Sequence, residues 1–110
     1  MKVERRDTNR VLIELEVMLN PDTQGYQLFR TRDISLDGVF VETQLKAQKK
    51  AMVDLALKLS TDGKSQVHRV TASVVRTTPT GIAFVFDEVD TEAYAALLEL
   101  VFANHPKSEF

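Results

Sequence analysis

Apolar residues recur at every second position through most of this chain and then, near its end, at spacings of three and four. A period of two sends successive side chains to opposite faces of a strand, and a period near 3.6 gathers them into one stripe of a helix. The chain is therefore built for sheet first and a single helix last. Residues 11–19 set Val11, Ile13, Leu15, Val17 and Leu19 on one face and Glu14 and Glu16 on the other, the pattern of a half-buried strand. Asn20-Pro21-Asp22-Thr23-Gln24-Gly25 is a turn cluster, and residues 26–31 read as a second strand whose pattern Arg30 and Arg32 interrupt. Asp33-Ile34-Ser35-Leu36-Asp37-Gly38 reads as a turn or bulge, followed by a short strand at 39–43 and a polar loop or single helical turn at 44–50.

Alternation returns at 52–60, with Val53, Leu55, Leu57 and Leu59 facing inward, and Asp62-Gly63 is a hairpin signal. Residues 67–77 form a long strand whose phase slips near Val74-Val75, which predicts a bulge there. Thr78-Pro79-Thr80-Gly81 turns the chain into a last strand, where Ile82, Phe84 and Phe86 alternate with Ala83 and Val85. From 91 to 103 the period changes: Tyr94, Leu97, Leu98, Val101 and Phe102 make one helical stripe, predicted to bury against the sheet. Asp90 is placed to cap the helix, Glu92 suits its first turn, and Asn104 and Pro106 end it. The expected fold is mainly β: about six antiparallel strands, closed or nearly closed into a barrel that hides its edges, with a C-terminal α-helix. At 110 residues it is one domain.

Several chemistries are excluded or disfavoured. There is no cysteine, so no disulfide scaffold, thiolate metal site or cysteine nucleophile, and the composition suits a reducing cytoplasm. No apolar run reaches the ~18 residues of a membrane helix, and the first residues do not read as a signal peptide. His68 and His105 share no metal-ligand spacing, Ser35 lacks a nucleophile-elbow setting, and four scattered glycines make no phosphate loop. An enzyme or a metal cofactor is therefore not expected. A net charge of −2 argues against general nucleic-acid binding, and eight aromatic residues, mostly at inward positions, do not make a stacking platform for single strands. The charge is uneven: residues 1–10 carry a local +2 and residues 85–110 a local −5. A small basic cluster on an acidic body suits a compact anionic ligand.

Two segments carry chemistry. In Arg5-Arg6-Asp7-Thr8-Asn9-Arg10, three guanidinium groups stand just ahead of the first strand. Arginine recognises phosphate bidentately, and it also bonds the O6/N7 edge of guanine. From composition alone the leading reading of the same residues is a solvated terminus whose arginines pair with the acidic end of the chain. In Asp33-Ile34-Ser35-Leu36-Asp37-Gly38, a carboxylate that only accepts complements the N–H donors of guanine, Ser35 adds a hydroxyl, and Gly38 permits positive φ or a close backbone approach. The other reading is a plain turn in which Asp33 and Ser35 satisfy local amides.

Taken together and in this order, Arg6-Asp7-Thr8-Asn9-Arg10 as RxxxR and Asp33-Ile34-Ser35-Leu36-Asp37-Gly38 as DxSxxG resemble the two signatures of the PilZ domain, a bacterial receptor for cyclic di-guanylate (c-di-GMP). Val74-Val75-Arg76 followed by Gly81-Ile82-Ala83-Phe84 resembles that family's closing hairpin, so the likeness runs from about Glu4 to Phe102. The resemblance implies a six-stranded antiparallel PilZ-type barrel with a C-terminal helix, and a stand-alone, non-enzymatic receptor. Residues 1–10 would be a flexible ligand-binding segment, 11–104 the barrel and helix, and 105–110 a tail. Arg6 and Arg10 would wrap the ligand, and Asp33, Ser35 and Gly38 would line the guanine site. Arg5, immediately before RxxxR, implies two ligand molecules per protomer. Binding would reorder the N-terminal segment and signal to an effector protein in the cytoplasm, without DNA, RNA or membrane insertion. Thr8 departs from the bulkier residue many members carry. Arg76 has an undetermined strand phase. The alternative is a PilZ-like interaction module with weak or no nucleotide binding.

Overall fold

A computed structural model describes residues 10–20, 27–45, 47–61 and 63–104. Within them lie β1 (Val11–Leu12), β2 (Glu16–Asn20), β3 (Gln27–Ile34), β4 (Gly38–Glu42), β5 (Met52–Thr61), β6 (Lys64–Thr78), β7 (Gly81–Glu88) and α1 (Thr91–Asn104). All strand pairs are antiparallel. The sheet runs β3-β2-β5-β6-β7-β4 and closes on itself because β4 also pairs with β3. The result is a closed six-stranded barrel, mainly β, with β1 continuing the line of β2 along β3.

That continuation corrects the single strand expected over 11–19. β1 and β2 both pair with β3, but their registers differ by one residue: Leu12 lies opposite Asp33 and Glu16 opposite Arg30. Ile13, Glu14 and Leu15 therefore face only Thr31 and Arg32, which is a bulge. The buried Thr31 hydroxyl holds it, donating to the Ile13 carbonyl at 2.7 Å and accepting from the Leu15 N–H at 2.9 Å. A side chain thus supplies partners that the displaced ladder leaves unmet.

The second strand also runs further than the pattern predicts. β3 reaches Ile34, so Asp33 and Ile34 are strand residues and only Ser35, Leu36 and Asp37 form the turn into β4. Its register against β4 slips between Thr31 and Asp33, with Arg32 as the extra residue. Arg30 keeps the regular register, and Arg30 and Arg32 follow the exposed Leu28 on the outward face, so the arginines do not break the alternation. Elsewhere the pattern holds. Val53, Leu55, Leu57 and Leu59 are all buried in the core. Each large apolar side chain so buried contributes about 1.5–3 kcal/mol. β5 turns into β6 with Thr61 opposite Lys64 and Gly63 at φ 79°, a left-handed conformation that glycine adopts without strain. β6 bulges between Val74 and Arg76, where the phase slip was expected. The Thr78 hydroxyl accepts the N–H groups of Thr80 and Gly81 at 3.2 and 3.1 Å and closes the last hairpin.

Asp90 caps α1, accepting the Ala93 N–H at 2.8 Å. The helix packs against β5 and β6. Its buried stripe is Ala93, Ala96, Leu97, Leu100 and Val101, not the predicted Tyr94, Leu97, Leu98, Val101 and Phe102. The two stripes differ by one residue throughout, a rotation of about 100°. Ala93 and Ala96 let the helix axis lie close to the barrel, whereas Tyr94 and Phe102 would hold it off. Those aromatics are left 44% and 72% exposed.

Candidate functional site

The barrel's outer face over β1, β3, β4, β7 and β6 carries one continuous cross-strand row. Leu12 lies opposite Asp33, Asp33 opposite Phe40, Phe40 opposite Ala83, and Ala83 opposite Arg76. Opposed residues project from the same face of a sheet. Val39 and Val41, the neighbours of Phe40, belong to the core, which assigns this row to the outside. Asp33 is nevertheless only 5% exposed, because charged side chains cover it.

Two guanidinium groups hold that carboxylate, one on each oxygen. Arg10 Nε donates to Asp33 Oδ1 at 2.7 Å, and Arg32 Nε donates to Oδ2 at 3.0 Å. Arg10 Nη1 also reaches Ser35 Oγ at 3.4 Å. The Arg32 guanidinium lies 3.9 Å from the centre of the Phe40 ring, a cation–π contact that fixes its plane. Both arginines are about half exposed, so one end of each pair faces water while the carboxylate is sheltered. A carboxylate buried this far remains tolerable only while it is paired and hydrogen-bonded.

Ser35 builds the turn beneath. Its hydroxyl accepts the N–H groups of Asp37 and Gly38 at 3.1 and 3.3 Å, and its own N–H donates to the Gly38 carbonyl at 2.9 Å. Gly38 does not adopt positive φ. Of the two reasons for glycine there, close approach applies: a Cβ at Gly38 would run into the Phe84 carbonyl oxygen on β7. The DxSxxG segment thus makes a rigid hairpin end that holds Asp33 at the rim of the outer face, and Arg10 joins the two motifs in space. Arg5, Arg6 and Thr8 lie outside the described residues.

Arg32 was missed in the sequence, where it counted only as a break in the strand pattern. Adjacent strand residues normally face opposite sides of a sheet. The bulge at Arg32 is what lets it share a face with Asp33. Phe40 was missed for a related reason, since any strand phenylalanine reads as core. Arg76 is exposed and lies in the same row as Asp33, three strands away or roughly 14 Å at ordinary strand spacing. His68 faces the core opposite Leu57, buried, with Nε2 lacking a hydrogen-bond partner. Among the described residues no three His, Asp or Glu side chains are grouped to hold a metal ion, and no helix is long and apolar enough to cross a membrane. An open hollow lined by Arg69, Thr71, Asp87, Glu88, Val89 and Asp90 shares no residue with the Asp33 cluster.

Comparison with known proteins agrees with this architecture. Among solved structures, the Bacillus subtilis inhibitor of motility MotI/DgrA is similar with a TM-score of 0.79 and 20% identity, over 94% of this chain and 52% of that one. The chain therefore spans about half that protein's length. The PilZ domain of CeSA from a cellulose-synthesizing bacterium is similar with a TM-score of 0.64 and 18% identity, over 87% of this chain and 97% of that one. At such identities the likeness is one of fold. No curated protein sequence matches the chain. A family model described as the PilZ domain matches residues 4–103, from ahead of the arginine motif to the last turn of α1. With nearly its whole length inside that match and its barrel superposable on a solved PilZ domain, the chain belongs to the PilZ domain family, a family of cyclic di-guanylate receptors.

Proposed function

We propose that this chain is a cytoplasmic adaptor that binds cyclic di-guanylate on the outer face at Asp33, Ser35 and Gly38 and reports it to a partner protein. The carrying observation is the Asp33 carboxylate, sheltered and held between Arg10 and Arg32. In the free protein, guanidinium N–H groups stand where guanine N1–H and N2–H₂ would donate. Binding exchanges one donor set for the other on Asp33. Arg10, once released, turns its fork to a phosphate or to guanine O6/N7, with Arg5 and Arg6 supplying further cationic groups. Because Arg10 leads into β1, its release changes the surface a partner meets. Two intercalated ligand molecules concentrate about four negative charges, which three arginines of the N-terminal segment suit better than two.

Calorimetry tests this directly. Wild type is expected to take two molecules of cyclic di-guanylate per protomer and to discriminate against cyclic di-adenylate and GTP. Arg5→Ala lowers the ratio to one. Arg10→Ala or Asp33→Ala weakens binding by one to two decades, the worth of a charge-assisted bond of about 1.5–3 kcal/mol, and Asp33→Ala relaxes guanine selectivity. Equal affinity for the adenine analogue refutes the assignment. A second reading, a barrel that docks proteins without nucleotide, draws on one observation: Asp33 and Ser35 already have partners inside the chain. The same titration decides between them.

A further inference from the structure

We propose that the outer face of α1 is a docking surface for an amphipathic helix of a partner protein that carries lysine or arginine along one flank. α1 buries one complete stripe against the barrel and presents a second to solvent. Tyr94, Leu98 and Phe102 recur every four residues on that outer side, Tyr94 and Phe102 exposed and Leu98 half-buried. Exposed Ala95 flanks them on one side. With one apolar stripe buried and a second exposed, the outer stripe still lacks its cover. A small residue beside the aromatic line lets a second helix axis come to ordinary packing distance, about 8–10 Å. The spacing of the large residues suits an incoming helix that sets its own apolar residues three and four apart.

Charge selects the occupant. Between Asp87 and Asn104 the sequence holds Asp87, Glu88, Asp90, Glu92 and Glu99 and no lysine or arginine. A second copy of the chain laid antiparallel on this face would bring Glu92 and Glu99 alongside the same residues of its twin. An anionic membrane meets the same repulsion. A partner helix with basic residues along the edge that meets Glu92 and Glu99 finds attraction there and an apolar seam beside it. This surface belongs to α1 alone and does not depend on nucleotide binding.

The probes are two synthetic amphipathic peptides of about 18 residues with one leucine stripe, flanked in one by lysine and in the other by glutamate. Each is titrated into the isotope-labelled full chain and followed by amide chemical shifts and by calorimetry. The lysine-flanked peptide is expected to bind, with shifts centred on residues 91–104, and the glutamate-flanked peptide to bind at least tenfold more weakly. Tyr94→Gln and Phe102→Gln, at exposed positions, keep the wild-type melting temperature and lose about tenfold in affinity. Glu92→Lys weakens the lysine-flanked peptide and strengthens the glutamate-flanked one. Equal binding of both peptides, shifts centred elsewhere, or unchanged affinity in both glutamine variants overturns the proposal. So does a concentration-dependent dimer abolished by Phe102→Gln, which would make the occupant a second copy. Binding to phosphatidylglycerol vesicles that Phe102→Gln abolishes would assign the face to lipid and overturn it as well.

Discussion

Arg10→Ala and Arg32→Ala combined are expected to destabilise the ligand-free protein by more than the two single changes add up to. Each arginine bonds a different oxygen of Asp33. A hydrogen bond to a charged group is worth about 1.5–3 kcal/mol, and half-exposed guanidinium groups bring that down to about 1 kcal/mol for Arg10. Arg32 has a similar bond and also its stacking on Phe40, about 0.5–1 kcal/mol more. In either single variant the remaining arginine still neutralises Asp33. In the double variant a carboxylate that was 5% exposed has no cation beside it among the described residues. Orphaning a buried charge costs about 3–5 kcal/mol, and water entering where the two side chains stood keeps the value near about 3–4 kcal/mol. The coupling is therefore on the order of 1 kcal/mol. Urea unfolding without ligand measures it, and adding Asp33→Ala to the double variant is expected to recover about 1 kcal/mol or more by removing the orphaned charge. A double variant within about 0.3 kcal/mol of the summed singles, or no recovery with Asp33→Ala, refutes the picture of one carboxylate shared by two arginines.

Gly38→Ala should lower stability by about 2–3 kcal/mol, because the new methyl meets Phe84 backbone on β7; a thermal melt matching wild type would contradict that packing. Thr31→Val keeps the shape but leaves the Leu15 N–H and Ile13 carbonyl without the hydroxyl that holds the bulge, costing about 1–3 kcal/mol in chemical denaturation and speeding amide exchange at Leu15. His68→Leu should leave stability unchanged or raise it by about 1 kcal/mol, since it removes a buried nitrogen with no partner; a large loss would show that Nε2 does have one.

Much of the candidate site was legible before any coordinates. RxxxR and DxSxxG supplied the residue types, and Arg10, Asp33 and Ser35 do meet, although 23 and 25 residues separate Arg10 from the other two. Both readings of Ser35 remain in play: its hydroxyl satisfies the local amides of the turn and also faces Arg10. Arg32 and Phe40 were not legible. Their meeting with Asp33 depends on a register slip between two strands, which neighbouring residues in sequence do not encode.

Local chemistry wrote the period of each strand, the Asp90 cap, the Gly63 hairpin and the bulge beyond Val74 into the chain, because each depends on side chains a few positions apart. The Thr31 bulge and the rotation of α1 depend instead on what lies across the sheet. Residues 11–19 alternate without a break, yet a hydroxyl on β3 takes two backbone partners and inserts a residue into the ladder. α1 has two apolar stripes about 100° apart, and periodicity ranks them equally. Only against the barrel do they differ. The alanine-bearing stripe permits close packing on β5 and β6, so burial chose Ala93 and Ala96 and turned Tyr94 and Phe102 toward solvent.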